Sequence, residues 1–276
     1  MRITATTVAL LLHHAAEADK ASKGPAIVNK GKSGKGKAGK GTAAPTGAPT
    51  AVCTNSFNNT TALCTDGFNN TSLRDAVKDY FDQECITKPD CEIIRQYGVI
   101  GGWRVSCVTD MTDLFSITAN SGAELFNEPL NNWDVSNVTN MYLMFYGAAA
   151  YNQPMNDWDV SKVTTMDFMF EAAAAYNQPM NGWDVSKVTV MEYMFYDAYA
   201  FNQPLNDWNI NCVTSIASMF DYAKAYNQNL CVWGTKLQKT ADVSGMFSYS
   251  GCVDKGAPNL NLVPPGPFCE VCPGLF

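Results

Sequence analysis

Apolar positions recur along most of the chain with a period far longer than a helix or strand turn. Trp133, Trp158, Trp183, Trp208 and Trp233 are 25 residues apart, and Trp103 precedes them by 30, with the extra five residues falling within 119–124. All six tryptophans of the chain stand in this one column. A fixed period of this size is the signature of stacked repeats, each unable to bury its apolar face alone. Within one unit, Val160 to Met166 alternates and is β-branched, which predicts a short strand. Met166, Met169, Phe170, Ala173 and Tyr176 then follow at helical spacing, and Pro179 ends the segment. The expected architecture is therefore an α/β repeat solenoid, with a short strand and a short helix in each of about six turns over residues 101–250.

The invariant columns have structural readings. Trp158, Val160, Val163, Met166, Met169 and Phe170 with their equivalents make the core, as does the Tyr151, Tyr176, Phe201, Tyr226 column. Asn152, Asn177, Asn202 and Asn227 predict a ladder that satisfies loop backbone groups, and Thr139, Thr164, Thr189 and Thr214 a second one. Asp134, Asp159 and Asp184, with Asn209 in the next turn, are placed to cap turns, because one carboxylate per turn is too few oxygens for calcium. The columns that vary are the candidate ligand surface: Tyr142, Asp167 and Glu192, and four positions on, Tyr146, Glu171, Tyr196 and Asp221. That offset predicts one exposed helix face, an aromatic-plus-acid stripe suited to protein or glycan contact.

The flanks differ from the repeat. Arg2, the apolar stretch Val8 to Leu12 and Ala16-Glu17-Ala18 predict a signal peptide over residues 1–18. Residues 19–52 are rich in Lys, Gly, Ala and Pro and predict a disordered linker. Gly31-Lys32-Ser33 within it is no phosphate loop, since Ala26 stands where the first glycine belongs. Residues 53–100 predict a cysteine-containing cap with one helix, whose apolar face is Leu73, Ala76, Val77, Tyr80 and Phe81 and whose N-cap is Ser72. Residues 251–276 form a Cys/Pro-rich C-terminal cap.

Charge divides the chain in the same place. Residues 1–52 hold eight basic and two acidic side chains, net +6, which leaves −13 for residues 53–276 within an overall charge of −7. The acidic body excludes a nucleic-acid binder, while Lys20 to Lys40 could hold an anionic surface. No segment has the length of apolar residues that a transmembrane span needs.

Ten cysteines imply an oxidising compartment, and all ten (Cys53, Cys64, Cys85, Cys91, Cys107, Cys212, Cys231, Cys252, Cys269, Cys272) are disulfide candidates. Cys107 and Cys212 share a column four turns apart, about 19 Å by strand spacing, too far to pair with each other. Five cysteines precede residue 110 and five follow residue 210. That parity leaves either a free thiol at each end or a partner brought over by a segment such as that around Cys53. Asn58, Asn59, Asn69, Asn70 and Asn137 are candidate glycosylation sites. The only histidines, His13 and His14, fall in the signal segment, so the mature chain has none for catalysis or zinc binding. No catalytic, cofactor or metal residue is assigned.

Phe201-Asn202-Gln203-Pro204-Leu205-Asn206, followed at two residues by Trp208, closely resembles the BspA-like surface-protein repeat, a relative of leucine-rich repeats. So does Trp183-Asp184-Val185-Ser186 with Val188-Thr189, Met191 and Met194-Phe195. The resemblance runs over about residues 98–250 and implies a secreted or cell-surface protein active in adhesion or recognition, not catalysis. Members anchored as lipoproteins carry a cysteine directly after the signal; here the first is Cys53. The expected function is an extracellular, non-catalytic binding scaffold whose partner is a protein or glycan. The alternative is a structural cell-wall or mineral-associated protein held by the lysine-rich tether, and a glycan-active enzyme is a distant third.

Overall fold

A computed structural model describes residues 67–263 and 265–272. The chain divides into two units, 1–52 and 53–276, and the signal and linker expected in the first lie outside the described residues. The second opens with helix α1, Asn70–Asp82, whose buried face is Leu73, Ala76, Val77, Tyr80 and Phe81, as the sequence pattern predicts. Its N-cap is Asn69 and not Ser72. The Asn69 side-chain oxygen accepts from the Thr71 and Ser72 amides, and Ser72 Oγ accepts in return from the Asn69 amide. A Cys85–Cys91 disulfide and the short helix α2, Glu92–Tyr97, complete the cap. Tyr80 packs edge-on to Trp103 with ring centroids 6.5 Å apart, and Phe81 lies 5.8 Å from Phe126, so α1 covers the first end of the repeat.

The expectation of an α/β repeat solenoid is overturned. Among the described residues there is no named strand, and the two α-helices both precede the repeat. Neighbouring turns meet instead through isolated parallel bridges, one position per turn, from Asp110 through Asn140, Thr165, Val190 and Ser215 to Asp242. Val160 and Val163 are both buried because a tight turn, Val163 N–H to Val160 C=O at 2.9 Å, brings them to one side; pleated alternation has no part in it.

The helical spacing of Met166, Met169, Phe170 and Ala173 has an equally local cause. Phe168 and Ala172 are left-handed, at φ +57° and +55°, and break any helix every four residues. The amides of Met166, Phe168, Phe170 and Ala172 donate across to Val190, Glu192, Met194 and Tyr196 in the next turn, while Met169, Glu171 and Ala173 close onto residues three earlier. A helix would satisfy these groups internally; this ribbon of consecutive turns sends every second one to its neighbour. Each non-glycine left-handed residue costs about 1–2 kcal/mol, offset by the interturn bonds that this conformation allows.

Stacking then repeats. The Phe145, Phe170, Phe195, Phe220 and Phe247 rings lie near-parallel at 5.4 to 5.7 Å. Trp158 and Trp183 stack at 6.3 Å, and each indole N–H donates to the carbonyl of residue 130 or 155 in the preceding turn. The asparagine ladder is present: Asn177, Asn202 and Asn227 amides donate to the side-chain oxygens of Asn152, Asn177 and Asn202. Thr164, Thr189 and Thr214 hydroxyls likewise donate to Thr139, Thr164 and Thr189 carbonyls. Asp134, Asp159 and Asp184 cap turns by accepting the amides of Ser136, Ser161 and Ser186.

The far end is closed covalently. Cys231 pairs with Cys272 and Cys252 with Cys269, so Cys269 and Cys272 tie to different partners rather than acting as a redox or zinc pair. Gly234 permits this closure, since a Cβ there would meet the Phe268 ring at 2.9 Å. Cys107 and Cys212 are also disulfide-bonded, and no cysteine among the described residues is free, which removes the free-thiol alternative for them. Cys53 and Cys64 lie outside the described residues. No described helix is long and apolar enough to cross a membrane.

Candidate ligand surface

The variable columns do converge on one face, but the face is not helical. Four left-handed residues, Phe168, Tyr193, Tyr222 and Tyr249, join Tyr142 and Tyr196 in an outer row of rings. Tyr142 meets Phe168 edge-on at 5.7 Å, and Phe168 stacks on Tyr193 at 4.9 Å. Tyr193 lies 5.7 Å from Tyr196, Tyr196 lies 5.7 Å from Tyr222, and Tyr222 stacks on Tyr249 at 4.6 Å. Lys224 ends the row, its Nζ 4.6 Å from the Tyr222 centroid and 5.6 Å from that of Tyr249. The same ammonium donates to the Tyr249 carbonyl at 2.9 Å.

Carboxyls run beside the rings. Asp167 is held within the stack, Oδ1 accepting the Glu192 amide at 3.0 Å and Oδ2 the Thr165 hydroxyl at 2.9 Å, and burial raises its pKa. Glu171, expected on an exposed face, is only 8% exposed. Burial, then repulsion from Asp197, pushes its pKa up to about 8, so at neutral pH the carboxyl holds its proton. Asp221 has a buried Oδ1 with no hydrogen-bond partner, and burial pushes its pKa up to about 6 although Lys224 acts in the opposite direction. Tyr199 is pushed up to about 12 by burial and by its hydrogen bond to Asp197. Burial also raises Tyr142 and Tyr196, each further raised by neighbouring carboxylates.

The seven sequence-derived residues thus divide. Tyr142 is exposed, Tyr146, Asp167, Glu192, Tyr196 and Asp221 are half-buried, and Glu171 is buried. Sequence reasoning missed Phe168, Tyr193, Asp197, Tyr222, Tyr249 and Lys224. It imposed a helical offset of four and so skipped the two left-handed columns that carry most of the rings. An available signal was the column of Phe168 and Tyr193, which holds rings in positions where the buried columns are already complete.

Other candidates fare differently. Asn69 is exposed and uses only its side-chain oxygen, for the cap, whereas the Asn70 amide donates to Thr109 at 3.1 Å. The Asn137 amide donates to the Ser106 carbonyl at 2.8 Å, and Asn58 and Asn59 lie outside the described residues. Among the described residues no group of three or more His, Cys, Asp and Glu could hold a metal ion. A cleft beside the cap, lined by Phe68, Tyr97, Trp103 and Arg104 among others, has no carboxylate in its wall. The stripe is therefore a face of stacked rings beside carboxyls whose pKa values burial raises.

No curated protein and no solved structure matches the chain. One family, described as "Mycoplasma protein of unknown function, DUF285", matches residues 95–198 and 153–257, two overlapping stretches that cover the whole repeat. The chain therefore belongs to the DUF285 family.

Proposed function

We propose that the chain is an extracellular, non-catalytic binding scaffold that takes a partner along the aromatic and carboxyl stripe, the role that its BspA-like repeat implies. The observation that carries this reading is the outer row of rings from Tyr142 to Tyr249, which the stack does not need for its own core. Aromatic rings concentrate binding energy at interfaces because they offer large rigid area at low entropic cost. The Cys85–Cys91, Cys231–Cys272 and Cys252–Cys269 disulfides support an oxidising compartment. Intact-mass and peptide mapping of the native secreted protein tests the location: removal of residues 1–18 and sugar on asparagine are expected, and an uncleaved, reduced chain overturns it. Attachment of the protein to its native surface tests the stripe. A Tyr193→Ala/Tyr222→Ala variant that folds normally is expected to lose attachment, and full retention sinks the reading.

The charge contrast between residues 1–52, at +6, and the acidic remainder favours a second reading, a structural protein attached through its lysines to an anionic surface. Deleting residues 19–52 abolishes attachment under that reading and spares it under the first.

A further inference from the structure

We infer that Asn69 carries an N-linked glycan in the folded protein and that Asn70, whose acceptor motif overlaps it, stays bare. This rests on the proposed extracellular location and names a covalent site that goes with it.

By sequence the two positions are equivalent, each an asparagine followed at two residues by a hydroxyl, Thr71 for Asn69 and Ser72 for Asn70. The folded cap separates them. Asn69 and Thr71 are both exposed. The Asn69 Oδ1 accepts the Thr71 and Ser72 amides at 2.9 Å each, which fixes the side chain at the entry of α1, and Nδ2 takes no part in the cap. Capping of this kind needs only the oxygen, so a sugar on Nδ2 leaves it intact. Phe68 and Ser72 line the open cleft beside the cap, so Asn69 stands at its rim, where a bulky solvated group has room.

Asn70 is half-buried, and its side chain joins α1 to the first turn of the repeat. Its Oδ1 accepts the Thr109 amide at 2.8 Å and the Asp110 amide at 3.3 Å, while its Nδ2 donates to Thr109 Oγ1 at 3.1 Å. The same Thr109 hydroxyl lies 3.5 Å from Oδ1, so one threonine faces both the oxygen and the nitrogen. The Nδ2 hydrogen on the oxygen's side therefore points at Thr109. Glycosylation replaces that hydrogen, because a secondary amide carries its substituent on the oxygen's side and the cis alternative is disfavoured. A sugar on Asn70 would meet Thr109 and part the helix from the repeat. The donor for the transfer is a lipid-linked pyrophosphoryl oligosaccharide. Nδ2 bonds to the sugar C1, the C1–O bond breaks with its electron pair leaving on the pyrophosphate, and one Nδ2 proton passes to a base of the transferring enzyme. Transfer precedes folding, so the geometry acts afterwards, on which modified chains can close the cap.

The test is enzymatic deglycosylation of the native secreted chain in heavy-oxygen water, which turns each sugar-bearing asparagine into labelled aspartate, followed by fragment-level peptide mapping. Label on Asn69 and none on Asn70 is expected; label on Asn70, or on neither, overturns the inference. Two variants separate the motifs without touching either asparagine. Thr71→Ala destroys the Asn69 motif and leaves that of Asn70 in place, and the secreted variant should carry no label at either position. Transfer of the sugar to Asn70 in that variant overturns the argument from Thr109. Ser72→Ala destroys only the Asn70 motif and should keep the Asn69 label at the wild-type level, although the return bond to Ser72 Oγ is lost; disappearance of the label there also counts against the inference. A chain with residues 1–18 removed and its disulfides formed, yet bare at Asn69, ends this inference and keeps the extracellular reading. An uncleaved, reduced and bare chain ends both.

Discussion

The inside of the stack and its outer stripe are built from the same turns, yet they solve opposite problems. Inside, one residue type repeats so that each ring meets its own kind: the Phe170, Phe195 and Phe220 planes differ by 6° or less, and each of these rings is fully buried. Polar groups there are mostly satisfied in columns, as with the indole N–H groups and the asparagine ladder. Outside, identity changes from turn to turn, Asp221 buries an oxygen without a hydrogen-bond partner, and burial raises the pKa of Glu171. Repetition marks where packing dictates the residue, and variation at a buried or half-buried position marks where something else does.

The hardest test of this contrast is truncation of one large side chain on each side. Trp183→Ala removes a buried indole and its bond to the Met155 carbonyl, and should cost about 3–5 kcal/mol in urea unfolding. Tyr193→Ala on the stripe should cost far less; equal losses would erase the distinction.

Next comes Glu171. Its native pKa of about 8 lies above the model-peptide value, so the native state keeps a proton that the unfolded chain gives up from about pH 4.5. Stability therefore falls as pH rises from there to about 8 and is level beyond, with Asp221 adding to the fall up to about pH 6. Glu171→Gln should stabilise the protein at pH 8, on the order of 3 kcal/mol, and do little at pH 4. Thermal melts across that range check the sign.

A smaller effect concerns the ribbon. Gly147 and Ala172 are equivalent and both left-handed, at φ +69° and +55°. Ala172→Gly should stabilise by about 1 kcal/mol through relief of the Cβ clash, measured by chemical denaturation. Gly147→Ala should do the reverse, because a Cβ there meets Ile117 at 2.5 Å. The smallest effect is expected from Tyr176→Phe. The Tyr176 hydroxyl is buried without a partner, and Phe201 fills the same column one turn on, stacked on Tyr176 at 6.2 Å. A neutral or slightly stabilising change, within about 1 kcal/mol, is the expected outcome; a large loss would reveal a partner for the hydroxyl.

Much of this was legible beforehand in particular residues. The five tryptophans at intervals of 25 announced the stack, and the conserved spacing of asparagine, threonine and aspartate announced the ladders and turn caps. The face of α1 could be read from Leu73 to Phe81, whereas its cap was displaced by three residues because Asn69 and Ser72 are both capping types. The stripe was half legible. Its columns vary visibly, but the row through Phe168, Tyr193 and Tyr222 depends on left-handed residues at which only the equivalent Gly147 and Gly245 carry the usual signal.

The sequence by itself determined the period, the identity of the buried columns and the charge division between the two parts of the chain. Those follow from which side chains water excludes and which carry charge, properties each residue brings with it. Tertiary structure decided the conformation inside each turn. Apolar residues spaced three and four apart suit a helix and a ribbon of tight turns equally, and the choice depends on whether backbone amides are satisfied within the turn or by the next one. In this protein the next turn is always in place to accept them, so the left-handed residues are tolerated, no helix forms, and the side chains they lift outward become the stripe.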